Sequence, residues 1–253
     1  MDVYMTNIIL CGANGKMGRV IDNCVQSRDD IKIICGIDIN DKIYSNFPIY
    51  KSLNEYNDRA DVIIDFSHPL ALSGILEYAK KNHIPLVAAT TGYSDEQIEE
   101  IKKAAKEIPV FFTFNMSLGV NLLMDLAKKA TMLLGDQFDI EIVEKHHNQK
   151  IDAPSGTAIM LANAINEAAE DRYQYEYDRH SKRQKRGKNE IGIHAVRGGT
   201  IVGEHEIIFA GRDEIVTLTH TAMSKDIFAV GSINAAIFLK DKKPGLYSMS
   251  DMI

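Results

Sequence analysis

The chain is predicted to be an α/β protein with two domains: one built on a parallel sheet, and a second of α+β type with a mixed or antiparallel sheet. Three observations predict this. Apolar runs rich in β-branched residues alternate with helical periods through the first half. A glycine-rich turn joins the first run to the first helix. After about Ser117 the strands change character, with apolar and polar residues alternating.

In order, residues 7–11 (NIILC) are the first expected strand, followed by a helix over 17–27 and a second strand at 31–37 (IKIICGI). Residues 62–66 (VIIDF) are a third strand with a helix over 70–82 behind it. Strands at 85–89 (PLVAA) and 110–114 (VFFTF) bracket a helix at 95–106. Uniformly apolar runs of this kind belong to parallel strands covered on both faces. A long helix over 119–134 is closed by Gly135 and Asp136, and 138–144 (FDIEIVE) alternates as a half-buried strand does. A further helix follows Pro154-Ser155-Gly156. Residues 173–189 are polar, carry a basic run at 180–188, and are expected to form a mobile loop. Strands are then expected at 192–196, 201–210 and 215–221, with a last helix over 227–239 and a short tail.

Composition sets outer limits. At 253 residues, 45% hydrophobic and 25% charged, the chain has the make-up of a soluble globular protein of one large or two ordinary domains. A net charge of -6 argues against general nucleic-acid binding, which needs an excess of Lys and Arg. Cys11, Cys24 and Cys35 are odd in number and form no CxxC pair, so they read as reduced thiols of a cytoplasmic protein. Residues 1–4 (MDVY) do not begin an export leader, and no apolar run approaches the roughly 20 residues that span a membrane.

The turn Gly12-Ala13-Asn14-Gly15-Lys16-Met17-Gly18 fits G-x-x-G-x-x-G. Glycines there let the backbone approach a pyrophosphate whose charge faces the N–H groups of a helix end, and Gly18 permits close packing of helix on strand. The second strand runs into Asp38, about 20 residues beyond Gly18, where an acid can accept bonds from ribose hydroxyls. This makes the first domain Rossmann-type and points to NADH or NADPH. With Ile39 and Asn40 beside Asp38 rather than arginine, the reading leans to NADH, although Lys16 and Lys42 are near enough in sequence to reach a phosphate. The plainer alternative is a structural glycine turn and a solvated strand end.

The densest chemistry runs from Glu144 to Ala158 (EKHHNQKIDAPSGTA). His146 or His147 suits proton transfer near neutrality, and Lys150 supplies positive charge. Ser155 or Asp152 can cap the next helix, so that Gly156 and Thr157 offer backbone N–H groups to a substrate carboxylate. No metal is expected, because His-His with a lysine three residues on is poor zinc spacing and no Cys or third His falls in line. A structural turn is the other alternative.

These residues resemble the dihydrodipicolinate reductase family, also called 4-hydroxy-tetrahydrodipicolinate reductase, through its E-x-H-H-x-x-K-x-D-x-P-S-G-T-A motif. The likeness continues in the glycine-rich turn, DVIIDFSHP at 61–69, ATTG at 89–92, NMSLGVN at 115–121, RGGTIVGEH at 197–205 and GLYSM at 245–249. It implies a dinucleotide-binding domain of residues 1–117 and 229–253, and a substrate-binding and oligomerisation domain of 118–228 that builds a homotetramer through its sheet. It implies reduction of a small cyclic dicarboxylate in lysine and diaminopimelate synthesis. By the same likeness, His146 is the proton donor or acceptor, and Lys150 a second proton donor near a substrate carboxylate. His147, Gly156 and Thr157 line the substrate. Gly12 through Gly18 and Asp38 hold the dinucleotide, while Ala89, Thr90 and Thr91 with Phe114, Asn115, Met116 and Ser117 flank the nicotinamide. The sequence departs from the family at Ala89, where glycine is usual, Ile39, where some members have arginine, Thr200, where aspartate is usual, and Lys225, which replaces a common arginine. Rival readings are a deaminating dehydrogenase, an NADH-sensing protein without turnover, and a metal-dependent hydrolase.

Overall fold

The computed structural model describes residues 5–252, apart from the side chain of Asp136. The readings that rest on residues 1–4 and 253, the lack of an export leader and the outer domain ends, lie outside the described residues. Along the chain the elements are β1 (Thr6–Cys11), α1 (Lys16–Gln26), β2 (Ile31–Ile37), β3 (Ile49–Tyr50), β4 (Val62–Asp65), α2 (Leu72–Asn82), β5 (Leu86–Ala88), α3 (Asp95–Ala104) and β6 (Pro109–Phe112). They continue with α4 (Leu118–Leu134), β7 (Asp139–His146), α5 (Gly156–Ala168), β8 (Gln174–Glu176), β9 (Glu190–Arg197), β10 (Gly203–Ala210), β11 (Ile215–Ala222), α6 (Asp226–Leu239) and β12 (Gly245–Tyr247). Two compact units result. One comprises the described residues through Ser117 together with those from Asp226 onward, the other Leu118–Lys225. The second crossing falls at Asp226, the first residue of α6.

The first unit carries a seven-stranded sheet in the order β12-β6-β5-β4-β1-β2-β3, parallel throughout. Strand alternation explains why its runs are apolar at every position. Ile8 and Leu10 pack with Ile21 and Val25 of α1 and Ile233 and Ala236 of α6. Ile9 and Cys11 point the other way, into a core with Leu72 and Leu76 of α2 and Ile101 of α3. The winding direction reverses between β1 and β4, and the carboxyl ends of strands at such a switch point are where ligands bind in open α/β sheets.

In the second unit the order is β11-β10-β7-β9-β8, with β10 antiparallel to both neighbours and β7, β9 and β8 mutually parallel. The sheet is therefore mixed. One face packs Ile140, Ile142, Ile207 and Phe209 against Leu123 and Ala127 of α4 and Leu161 and Ile165 of α5. The other face mixes Val143, Ile208 and Val196 with charged residues, among them Lys145, ion-paired to Glu204.

Two expectations need correction. Residues 173–189 are not a bare loop: Gln174–Glu176 add an edge strand to β9, and Arg179 bonds Glu190 at 3.0 Å and Glu141 at 2.8 Å. Arg186 reaches Asp139 at 2.8 Å and Glu141 at 3.0 Å. Within the basic run Lys182 thus pairs with Glu176, and Arg186 with acids 45 and 47 residues away, which a local window does not see. In the tail, β12 pairs with β6 at the sheet edge. Finally, Pro85 precedes β5, and Phe66, Ala89, Thr113 and Phe114 fall outside the strands because the ladder ends where the chain turns into the loops of the candidate site. No helix among the described residues is long and apolar enough to cross a membrane.

Candidate active site

Every candidate nucleotide residue belongs to the first unit. Gly12 ends β1 with φ +79, and a Cβ there would stand 2.5 Å from the Phe66 carbonyl oxygen. Gly18 lies so close to the turn that a Cβ would meet the Gly12 oxygen at 2.3 Å. The glycines therefore fold the turn back on itself and press it against the loop after β4. Gly15 is the N-cap of α1; no side chain caps this end and no acid sits in the first turn. Such a helix end suits an anion. The Asp38 carboxylate accepts from Asn14 N at 2.9 Å and Asn40 N at 3.2 Å. Gly12, Gly15, Asp38, Ile39, Ser67 and His68 line a cavity of about 400 Å³. Ala13 and Gly18 are buried and serve packing. Lys16 is exposed, and Met17 packs on the core. A larger depression of about 710 Å³, among Asn54, Arg59, Lys81, His83 and Lys240, holds none of the candidate residues and borders the amino ends of β4 and β5, the wrong end for such a ligand.

The loops after β5 and β6 hold the remaining candidates, outside that cavity. Ala89 and Thr90 are buried, and Thr91 is exposed. Thr90 Oγ1 donates to Asp65 Oδ2 at 2.9 Å, and Tyr93 OH donates to the same oxygen at 2.9 Å. The other oxygen takes bonds from Ser67 N at 3.0 Å and Ser67 Oγ at 2.5 Å. One buried carboxylate thus ties the β4 and β5 loops together, and burial raises its pKa despite these bonds. Phe114 is exposed and packs edge-on against Phe112, ring centroids 5.2 Å apart. Asn115 Oδ1 accepts from Ser117 N at 2.8 Å, and Met116 is buried. Of the family departures, Ile39 is 95% exposed at the cavity wall, so nothing there bars a nucleotide. Thr200 and Lys225 are exposed, and nothing in their surroundings explains the difference.

The second candidate cluster lies wholly in the second unit. Alternation along β7 puts Glu144 and His146 on the covered face. Register then brings Arg197 of β9 beside His146, and His205 of β10 opposite Glu144. Glu144 has no exposed surface. It accepts from both terminal nitrogens of Arg197 at 2.7 Å, from Ser155 N at 3.0 Å, and pairs with His146 Nδ1 at 2.6 Å. Burial works to raise the Glu144 pKa, but the bonds from Arg197, His146 and Ser155 outweigh it and hold the group ionised below its usual range. Ser155 caps α5 by accepting from Ala158 N at 3.1 Å, and its Oγ lies 2.9 Å from His205 Nε2. Burial, aided by the nearby His146, pushes His205 down to about 4, so this ring is neutral.

Past β7 the chain turns sharply, with Gly198 N on His146 O at 2.9 Å and Lys150 N on His147 O at 3.1 Å. His147 is half-buried. Lys150 Nζ pairs with Asp152 at 2.8 Å, and this bond lowers the Asp152 pKa. Ser155, not Asp152, is therefore the cap, and Gly156 and Thr157 open α5. Sequence reasoning gave no role to Glu144, Arg197, His205 or Asp65. For Glu144 a signal existed, since it lies two residues from His146 on an alternating strand. Arg197 and His205 stand at the two ends of one quoted motif, but their convergence depends on strand order.

Fold and site together are those of an oxidoreductase built from a nucleotide-binding sheet unit and a second unit bearing a buried carboxylate–histidine–arginine cluster. Comparison with known proteins narrows this. Residues 6–116 match the model "Dihydrodipicolinate reductase, N-terminus", and residues 119–253 match "Dihydrodipicolinate reductase, C-terminus". A 4-hydroxy-tetrahydrodipicolinate reductase of Caldanaerobacter subterraneus is 49% identical over 249 residues, 98% of each chain. One of Clostridium tetani is 45% identical, covering 100% of this chain and 99% of its own. Among solved structures, a dipicolinate-bound dihydrodipicolinate reductase from Paenisporosarcina sp. TG-14 superposes with a TM-score of 0.83 at 25% identity, over 98% of this chain and 100% of that one. The chain belongs to the dihydrodipicolinate reductase family.

Proposed function

We propose that this protein reduces 4-hydroxy-tetrahydrodipicolinate, or the dihydrodipicolinate formed from it, to tetrahydrodipicolinate in lysine and diaminopimelate synthesis. The observation that carries this reading is the buried Glu144–His146 pair, 2.6 Å apart, in the same strand-to-helix connection as Lys150 and the amino end of α5. That connection offers a proton source and an anion site together.

A bound nicotinamide nucleotide supplies the hydride. Gly12, Ala13, Asn14, Gly15, Lys16, Met17 and Gly18 form the turn that receives its pyrophosphate, and Asp38 takes the ribose hydroxyls. Ala89, Thr90 and Thr91 with Phe114, Asn115, Met116 and Ser117 flank the nicotinamide. Lys150 and the N–H groups of Gly156 and Thr157 fix one ring carboxylate and offset its charge, with His147 against the ring. His146 delivers the proton that the ring takes up as the hydride arrives, a general-acid contribution of about 10²–10⁴-fold. Lys150 serves as the second donor. NADH is the preferred cofactor, supported by Asp38 and the exposed Ile39 in place of a cation. Four copies associate through the sheet of the second unit, and the enzyme works in the cytoplasm, where its three free cysteines stay reduced.

The test follows nicotinamide absorbance as protein meets freshly condensed pyruvate and aspartate semialdehyde, with NADH and NADPH in separate runs. Oxidation should need both condensation partners and run faster with NADH. His146→Ala should lower kcat by about two orders of magnitude or more while leaving NADH affinity unchanged. Protein that binds NADH yet oxidises neither cofactor would remove the assignment. Light scattering on a sizing column should give four chains.

A further inference from the structure

Two charged groups of the cluster have no task in the reaction above, Glu144 and Arg197. Both are set by the fold. Glu144 takes its four hydrogen bonds from β9, from the start of α5 and from its own strand. An ionised carboxylate can only accept, so the neutral imidazole facing it at 2.6 Å must carry its proton on Nδ1. That leaves Nε2 as the basic nitrogen. Nε2 lies where Gly203 has no side chain, since a Cβ there would stand 3.1 Å from it.

The charges around His146 are few. Its own strand presents Glu144, β9 presents Arg197, and β10 presents the neutral His205. The connection adds His147 and the Lys150–Asp152 pair, whose charges offset each other. Glu144 by itself would hold an imidazolium tightly. Arg197, bidentate on the same carboxylate, answers its charge first.

We propose that Glu144 and Arg197 are an opposed pair of positioning residues: Glu144 fixes the Nδ1–H tautomer of His146 and favours its protonated form, and Arg197 weakens that hold so that the ring can release its proton. This rests on His146 being the proton donor, but its first readout does not depend on turnover.

The full chain is labelled with ¹⁵N-histidine, and the ring of His146, assigned by its loss in His146→Asn, is followed through a pH titration. The neutral ring should carry its proton on Nδ1. In Glu144→Gln an amide NH₂ must face either His146 or the Arg197 and Ser155 donors, so the Nε2–H form should appear. The titration midpoint should fall by about one pH unit or more in Glu144→Gln and rise by a similar amount in Arg197→Met. Glu144→Gln with Arg197→Met should bring it back towards the parent value, and Arg197→Lys, which keeps the charge, should leave it near that value. With substrate, Glu144→Gln should lose about 10²–10⁴-fold in kcat at unchanged NADH affinity, and the basic limb of kcat/KM should track the midpoints. An Nε2–H ring in the parent protein, or midpoints that move the same way in both single variants, would overturn the proposal. A purely structural pair would change the melting temperature and neither tautomer nor midpoint. Should Glu144→Gln fail to fold, the parent tautomer and the Arg197→Met shift still decide. The expected spectra from a protein without reductase activity would sink the reductase reading and leave the pair standing.

Discussion

Asp38 serves the fold, and under the proposed function it serves specificity as well. Its two oxygens hold Asn14 N and Asn40 N, so the carboxylate is oriented at the cavity wall before any ligand arrives. An oriented carboxylate accepts ribose hydroxyls well and repels a 2′-phosphate at the same position. In Asp38→Asn one oxygen remains to hold the turn, while the charge is gone. The ratio of kcat/KM for NADPH over NADH should rise by about tenfold or more, the worth of a charged hydrogen bond. Steady-state kinetics with both cofactors check this, and an equal loss on both would reduce Asp38 to a turn holder. Residues of this kind were legible in the sequence because their chemistry is local: the glycine turn, Asp38, His146 and Lys150 each sit in a short motif. Glu144 with Arg197, 53 positions apart, and Ser155 with His205, 50 apart, were not, because only strand order brings them together. Asp65 escaped notice because, inside an apolar run, nothing local says that four hydrogen bonds await it.

Among the elements, those with a clear period were legible and those made by pairing alone were not. The helices and long strands follow from runs of apolar residues with matching spacing. β3, β8 and β12 span two or three residues each, too few for any period, and exist because a neighbouring strand offers free backbone groups. The segment from 177 to 189 is the extreme case, held by ion pairs to β7 rather than by a core. Glu141 is its anchor, taking bonds from Arg179 at 2.8 Å, Arg186 at 3.0 Å and His194 at 2.8 Å. Glu141→Ala should free the segment without disturbing the sheet beneath. These side chains are partly exposed, so the coupling is discounted for solvent to about 1 kcal/mol, and trypsin cleavage at Lys182, Arg183 or Lys185 should quicken by about tenfold or less. An unchanged digestion rate would show that β8 and the bonds of Arg179 to Glu190 and of Arg186 to Asp139 hold the segment without Glu141.

At the scale of the whole molecule, the two units carry opposite responses to acid. The first buries Asp65, whose raised pKa means that the folded form gains a proton readily and is relieved of a buried charge as pH falls. Its Arg28–Asp30 pair is partly exposed and counts for little. The second unit buries His205, held from 6.5 down to about 4, and half-buries His220, also lowered by burial. Their unfolded forms take up protons below about 6.5 while the folded forms refuse them, so stability is lost as pH falls through that window. For His205 the loss reaches about 3 kcal/mol once pH is below both values. Glu141 and Glu144, held below the usual carboxylate range, add to the loss only as pH falls further, below about 4.5. Hydrogen exchange at pH 7 and pH 5 should therefore show protection falling in β7, β9 and β10 while β1, β4 and β5 keep theirs. His205→Gln, which leaves a partner for Ser155 but has no proton to gain, should flatten the response of the second unit. Loss that begins in the first unit, or an unchanged response in His205→Gln, would mean that the buried histidines do not set the acid limit of the fold.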